Sequence, residues 1–483
     1  MRLNRLSILL LPVLFIVILI SSQSCRREII NTDADAKLAF SEDTVQFDTV
    51  FTTVGSITLP LKIFNNYNST MVVSSITLAG GESSNFRMNV DGDPGTEFHD
   101  IEIPPKDSLY IFIEVTVDPN ALALPYVIED SIVFQTNGNV QDVKLVAWGQ
   151  NAHFHNGEIV CDEFWQDDLP HVIYGYVYID TGCTLTIDRG VNIYVHPYSS
   201  IIAQGALKIN GELDSIVTIQ GDRLEDYYRD IPGQWNGIYI LRNSTGSDIK
   251  YTHIFNSIDG ISMGGKLDDE FTAEDVPDYL IERPELTISN SMIYDCQNNG
   301  IFSLNSKITA TNVLVYNIGL SNLALFLGGD YNFTFCTFAN YSSEFLTHQS
   351  ATVGFLDYYA FSTDLIAQAD LTNANFTDCI LYGSLPEGNE LVIDTSLTPT
   401  IFNFNFTNCL IRTDIQQDLL NAMDCIFNSD PQFENVNERN YTPVESSPAI
   451  DAAIEIPGID NDVTGNPRPI GVASDIGAFE RQE

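Results

Sequence analysis

The chain has 483 residues, room for two or three domains, and its 44 % apolar and 11 % aromatic content excludes a disordered protein. Against 22 basic residues stand 65 acidic ones, a formal charge of −43 at pH 7. A surface of that sign repels nucleic acid, anionic lipid headgroups and, without divalent cations, polyuronate chains.

Arg2 and Arg5 precede an apolar run from Ile8 to Ile20, which is short for a bilayer span and reads as an export signal. Ser24-Cys25 follows directly, a small residue before a cysteine, and resembles the bacterial lipoprotein signal. The resemblance implies that Cys25 becomes the lipidated first residue of the mature protein. Arg26 stands where an Asp would imply inner-membrane retention, so an outer-membrane lipoprotein is expected, on either face. The expected organisation is a signal peptide over 1–24, a flexible tether over 25–36, a β-sandwich over 37–151, a parallel β-helix over 152–440 and a C-terminal cap over 441–483.

Residues 37–151 carry short strand candidates: Thr44 to Asp48, Leu59 to Asn65, Val72 to Leu78, Leu109 to Val117, Ser131 to Thr136 and Val140 to Ala147. The last two flank Asn137-Gly138, residues that tolerate positive φ and so mark a hairpin. Many short strands without helical periodicity predict a β-sandwich. The stretch from Phe47 to Phe51, then Gly55 and the strand Leu61 to Asn65, resembles immunoglobulin-like domains related to the major sperm protein family. That resemblance implies a spacer or protein-binding module.

From His153 the pattern becomes short alternating strands with Gly at the bends. Further on, stretches beginning at Lys250, Ser289, Thr311, Thr334, Thr377 and Thr407 align residue for residue. Their third place reads Thr252, Ser291, Val313, Cys336, Cys379 and Cys409. Residues two apart share one face of a strand, so this column and the one two places on point inward. Ser291 to Val313 is 22 residues and Val313 to Cys336 is 23, about what three short strands and three bends require. The gaps of 39, 43 and 30 between the other repeats are expected to hold longer loops or an extra coil. Asn, Asp and Gly at the bends accept left-handed backbone that costs other residues roughly 1–2 kcal/mol. The order Leu185-Thr186-Ile187, Gly190, Gly205-Ala206-Leu207, Val217-Thr218-Ile219 and Trp235-Asn236-Gly237-Ile238 closely resembles the opening coils of bacterial right-handed parallel β-helix proteins of the pectate-lyase-like fold. The fold class is therefore all-β. The closing segments Ser446 to Asp451, Gly465 to Pro469 and Asp475 to Glu480 resemble an ending of such proteins, expected to cover the last apolar coil and its open strand edges.

Seven cysteines remain after Cys25, so at least one is unpaired. Cys336, Cys379 and Cys409 read as stacked, buried thiols. Cys161 and Cys183 flank an early strand pair and are the candidate disulfide.

The β-helix resemblance implies enzymes that act on polysaccharides, with a Lys or Arg base and a Ca²⁺ cage for lyases or paired carboxylates for hydrolases. The outward places of the second strand column are His253, Met292, Leu314, Thr337, Ile380 and Leu410, an apolar face expected to lie under a loop or partner. No catalytic residue can be assigned there, and His253 reads as structural. The outer column Phe255, Tyr294, Tyr316 and Tyr382 offers an aromatic ledge for sugar rings, or a ladder that only stabilises strands. The loop Asp268-Asp269-Glu270, with Glu274, Asp275 and Asp278, is a weak Ca²⁺ candidate without the spaced Asp-Gly pattern of a calcium loop. No other cofactor is expected. The leading expectation is a non-enzymatic envelope lipoprotein that presents a β-helix surface to polysaccharide or an envelope protein, with no nucleic-acid partner. The rivals are a lyase or glycoside hydrolase with a loop-borne site, and a purely structural envelope component.

Overall fold

The structure is a computed structural model that describes residues 29–52, 55–118, 126–265, 281–395 and 401–482. Cys25 and the acidic loop from Asp268 to Asp278 lie outside the described residues. The chain divides into two compact units between Asn151 and Ala152.

The first unit contains two five-stranded sheets around one apolar core. Ser108–Val115 shows why they form: Leu109, Ile111, Ile113 and Val115 are buried while Tyr110 and Phe112 face solvent. Asn137 and Gly138 both take positive φ and join Tyr126–Thr136 to Asn139–Gln150 as a tight hairpin. Sequence patterning misses the edge strand Glu97–Ile103, whose Glu97, His99, Asp100 and Glu102 face water. The expected tether is not free over its whole length. Ile29 and Asn31 exchange backbone hydrogen bonds with Thr70, and Ala36 is buried in the sandwich core, because this segment completes an open strand edge.

The second unit is a parallel β-helix of 26 strands arranged in three ladders. The first ladder runs through Thr184–Ile187, Ala206–Asn210, Ser247–Lys250, Gly329–Thr334, Leu371–Thr377 and Asn405–Thr407. The second runs through Asn192–Val195, Val217–Gly221, Thr252–Phe255, Thr337–Asn340, Ile380–Gly383 and Leu410–Ile411. The third runs through Ser200–Ala203, Gly237–Ile240, Ile261–Met263, Ile301–Leu304, Leu323–Phe326, Val353–Leu356 and Leu391–Asp394. Glu285–Cys296 and Lys307–Ile318 each turn the corner from the first ladder into the second. Successive aligned repeats pair directly, so the long gaps hold loops and not an extra coil. Part of the longest gap is the hairpin Tyr358–Ser362 with Leu365–Gln368, whose Tyr359 and Phe361 pack with Phe302 and Phe326 of the third ladder.

Inside the stack, equivalent residues lie one above another. The first ladder reads Ile249, Ile288, Ala310, Phe333, Phe376 and Phe406 inward. The three phenylalanine rings stack at 4.9 and 5.2 Å, worth about 0.5–1.5 kcal/mol per pair beyond area burial.

The corner between the first two ladders explains the cysteine column. One residue there takes left-handed backbone in each coil from Tyr251 onward: Asn290, Asn312, Asp378, Asn408 and Asp424, but also Tyr251 and Phe335. The next residue turns inward, and where it is Thr, Ser or Cys its side chain donates to the carbonyl two residues earlier; Val313, after Asn312, fills the place with apolar bulk alone. Ser291 Oγ donates to Ser289 O at 2.8 Å, Cys379 Sγ to Thr377 O at 3.2 Å, and Cys409 Sγ to Thr407 O at 3.4 Å. The same carbonyls already accept a ladder bond, Thr377 O from Phe335 N and Thr407 O from Asp378 N. The hydroxyl or thiol thus uses the second lone pair without breaking the ladder. Cys425 extends the column by one coil. Cys161 and Cys183 are joined by a disulfide across the opening coils.

Asn408→Val is expected to cost about 1–2 kcal/mol, because a β-branched residue cannot relax at φ 50°, while Asn408→Gly is tolerated. Thermal unfolding of the two variants beside wild type checks this; equal melting temperatures would refute the corner argument.

Candidate ligand-binding groove

The C-terminal segment does not close the end of the stack, as expected from sequence, but lies along its flank. It covers the outward face of the second ladder. Leu314, Tyr316 and Ala339 pack with Tyr441, Val463, Ala478 and Phe479, while Ile380 and Leu410 pack with Ala449, Ala453 and Ile476. The physical reason is the column itself: an apolar lateral face of several coils offers more burial than one terminal coil. Gly477 is required at this contact, since a Cβ there would lie 2.6 Å from Thr337 Oγ1. The segment is tied internally by Arg468, whose buried guanidinium reaches Glu480 at 3.2 Å, donates to Asp475 O and Gly477 O, and stacks over Phe335 at 4.3 Å.

The aromatic ledge is only partly realised. Phe255 and Tyr294 stack at 4.7 Å, and Tyr294 and Tyr316 at 4.9 Å. The next place in the column is Ala339, so Tyr382 stands apart, with the Arg412 guanidinium over its ring. Tyr316 is only 4 % exposed and packs on Tyr441 of the C-terminal segment, so it cannot offer a ring face to a sugar as the open ledge required. Phe255 and Tyr294 are half-buried. His253 meets the edge of Tyr294, and burial lowers its imidazole below the usual range.

Beside the ledge the fold forms a groove of about 200 Å³. Tyr316, Tyr341 and Tyr441 supply aromatic surface, and Asp230, Asn317, Glu344, Asn437 and Arg439 supply polar groups. Arg439 stands 2.7 Å from Asp230 and 2.9 Å from Asp295, with its guanidinium over the Tyr294 ring. Asp295 is the left-handed residue at the corner after the second ladder, where Asn256 and Asn317 sit in neighbouring coils, and Asn317 donates to it. Burial pushes its carboxyl up to about 6, against the opposing pull of Arg439 and Asn317. Burial likewise raises the Tyr316, Tyr341 and Tyr441 phenols, so all three remain neutral hydroxyls at any physiological pH. Sequence reasoning found Tyr316 and the neighbouring Tyr294 but not Asp230, Tyr341, Arg439 or Tyr441, which come from distant parts of the chain. Among the described residues no group of His, Cys, Asp and Glu side chains could hold a metal ion.

No family model matches the sequence. No curated protein matches it either. Two solved structures are similar over about a quarter of the chain. One is a family 123 glycoside hydrolase from Clostridium perfringens, at 10 % identity and a TM-score of 0.18, covering 27 % of this chain and 30 % of that one. The other is PapD-like domain 7 of human CEP192, at 10 % identity and a TM-score of 0.17, covering 25 % of this chain and 87 % of that domain. Likenesses this low carry no argument about the fold or the chemistry of the groove.

A second corner carboxylate sets a pH dependence. Asp378 is fully buried; its Oδ1 accepts Ile454 N of the C-terminal segment, while Oδ2 has no partner. Burial pushes this carboxyl up to about 7 from 3.8. Between those values the folded protein holds a proton that the unfolded chain has lost, so the contribution of this group to stability is greatest below pH ~4 and falls as pH rises toward ~7. Asp378→Asn, the residue found at the equivalent Asn290, Asn312 and Asn408, is expected to stabilise by roughly 2–4 kcal/mol at pH 8. It should also flatten that slope. Chemical denaturation from pH 4 to 8 measures both; a variant less stable than wild type at pH 8 would contradict the assignment.

Proposed function

We propose that this protein is a cell-envelope lipoprotein, tethered by a lipid on Cys25, whose β-helix flank binds a neutral glycan in the groove lined by Tyr341, Glu344, Asn437 and Arg439. The observation that carries the reading is the pairing of aromatic surface with a fixed polar set in one concavity. The half-buried Tyr341 ring gives stacking surface to the apolar face of a sugar ring, and Asn, Glu and Arg side chains suit its hydroxyls. The charge of −43 disfavours polyuronates. Binding of an envelope protein remains the companion reading, supported by the sandwich preceding the β-helix and its likeness in sequence to protein-binding domains.

Purified protein lacking the signal peptide should bind a subset of neutral glycans on an array. Tyr341→Ala or Glu344→Ala should weaken that binding at least about tenfold while leaving the melting temperature within a few degrees. No glycan bound, with an envelope protein captured instead, would favour the companion reading; neither would remove both.

The anchor is tested separately. Labelling cells with a palmitate analogue should mark wild type and not Cys25→Ala. Equal labelling of the two would exclude lipidation at that residue.

A further inference from the structure

A cluster on the later coils joins two loops from successive coils. His348 lies in the loop after Thr337–Asn340, while Ser384 and Glu390 bracket the loop between Ile380–Gly383 and Leu391–Asp394. The His348 and Glu390 side chains are fully buried, whereas Ser384 is exposed. Ser384 Oγ is 3.4 Å from His348 Nδ1, and His348 Nε2 is 3.3 Å from Glu390 Oε2. The tautomer follows from the neighbours. Ser384 N donates to Nδ1 at 3.3 Å, so Nδ1 carries the lone pair and Nε2 the proton, which lies near the carboxylate without a formed hydrogen bond.

Glu390 is held firmly. It accepts Thr352 Oγ1 at 2.6 Å and Leu385 N at 2.9 Å, and Arg412 Nη1 lies 3.7 Å away. Burial alone would raise its carboxyl, but the contacts from His348, Thr352 and Leu385 outweigh that and hold it below the usual range, so it is ionised. Gly383 makes the approach possible. A Cβ there would lie 2.6 Å from both Glu390 Oε1 and His348 Cε1. The result is an exposed hydroxyl backed by an imidazole whose far nitrogen lies near a fixed carboxylate, the arrangement that activates a serine nucleophile. Apo distances of this kind are commonly long and shorten when a substrate docks.

We propose that Ser384, His348 and Glu390 form a hydrolytic site for small, exposed acyl esters, such as an acetyl group carried on a larger molecule. Ser384 Oγ adds to the ester carbonyl carbon as its proton passes to His348 Nδ1. The carbon–oxygen bond to the leaving alcohol then breaks, and the alcohol takes that proton. Water attacks the acyl-serine in the same way, His348 accepts and returns a proton, and the products are a carboxylic acid and free Ser384. Glu390 is a positioning residue that holds the imidazole and compensates its transient charge. The open placement of Ser384 favours esters that project from their carrier.

The test uses the chain lacking its signal peptide, a fluorophosphonate probe and p-nitrophenyl acetate. Intact-mass and peptide analysis should place one phosphonyl group on Ser384 of wild type and none on that position in Ser384→Ala. Labelling and ester turnover should fall at least about 100-fold in His348→Gln. Ser384→Ala should melt at the wild-type temperature, because its side chain is exposed. Failure to label Ser384 in folded wild type would overturn the proposal, as would labelling of His348→Gln at the wild-type rate. If His348→Gln does not fold, turnover by Ser384→Ala decides: a rate equal to wild type overturns the site, and its loss supports it.

Discussion

The left-handed corner between the first and second ladders is the constraint on which the β-helix depends. A chain that winds into parallel coils must turn sharply without leaving a buried backbone group unpaired. The corner achieves this by placing one residue at positive φ and following it with a small inward residue, Thr, Ser or Cys in every coil but that of Val313 among those from Thr252 onward. That side chain donates to a carbonyl already engaged in the ladder, as Cys379 does at Thr377 O and Ser291 at Ser289 O. Thiols serve in later coils where hydroxyls serve in earlier ones, and both are small enough for the interior. Asn and Asp at the corner also bond along the column, as Asn312 Nδ2 does to Asn290 Oδ1 at 3.0 Å.

Once the coils are stacked, each flank has to meet water or be covered. The first ladder turns Thr309, Asn332, Asn375 and Asn405 outward and needs no cover. The third ladder packs its Phe302 and Phe326 beneath the hairpin carrying Tyr359. The second ladder carries Leu314, Ile380 and Leu410, and the C-terminal segment lies over them. This covering has a cost in buried charge. Arg468 and Glu480 compensate one another inside the segment, whereas burial raises the carboxyl of Asp378 beneath it toward the protonated form. Where the cover meets the ledge it leaves the groove around Arg439, so the site is a by-product of how the flank is closed.

The same logic places chemistry on loops and not on strand faces. The outward strand columns are committed to packing or to a plain polar surface. Side chains with reactive potential converge where an insertion folds back over a coil, as at Asp230 and Arg439 and again at His348, Ser384 and Glu390. A rigid stack supplies fixed corners, and loops of unequal length bring distant residues to them.

The sequence by itself determined the coil period, the inward columns, the hairpin at Asn137-Gly138 and the places of the bends, because each depends on neighbours within a strand or on one backbone angle. It also identified an apolar outward face that had to be covered. It did not show that Tyr251 and Phe335 occupy left-handed corners, since their side chains carry no turn signal and are accepted only because surrounding packing holds them there. Nor did it show that the cover is the chain's own C-terminal segment lying along the flank, which buries Tyr316 and removes it from the ledge. Asp230, Asp295 and Arg439 meet across more than a hundred residues of sequence, and Ser384 meets His348 across 36. Such encounters depend on loop paths and on which surfaces are left uncovered. Only the tertiary structure decides them, because no local periodicity encodes a contact between side chains whose separation is set by the stacking of coils.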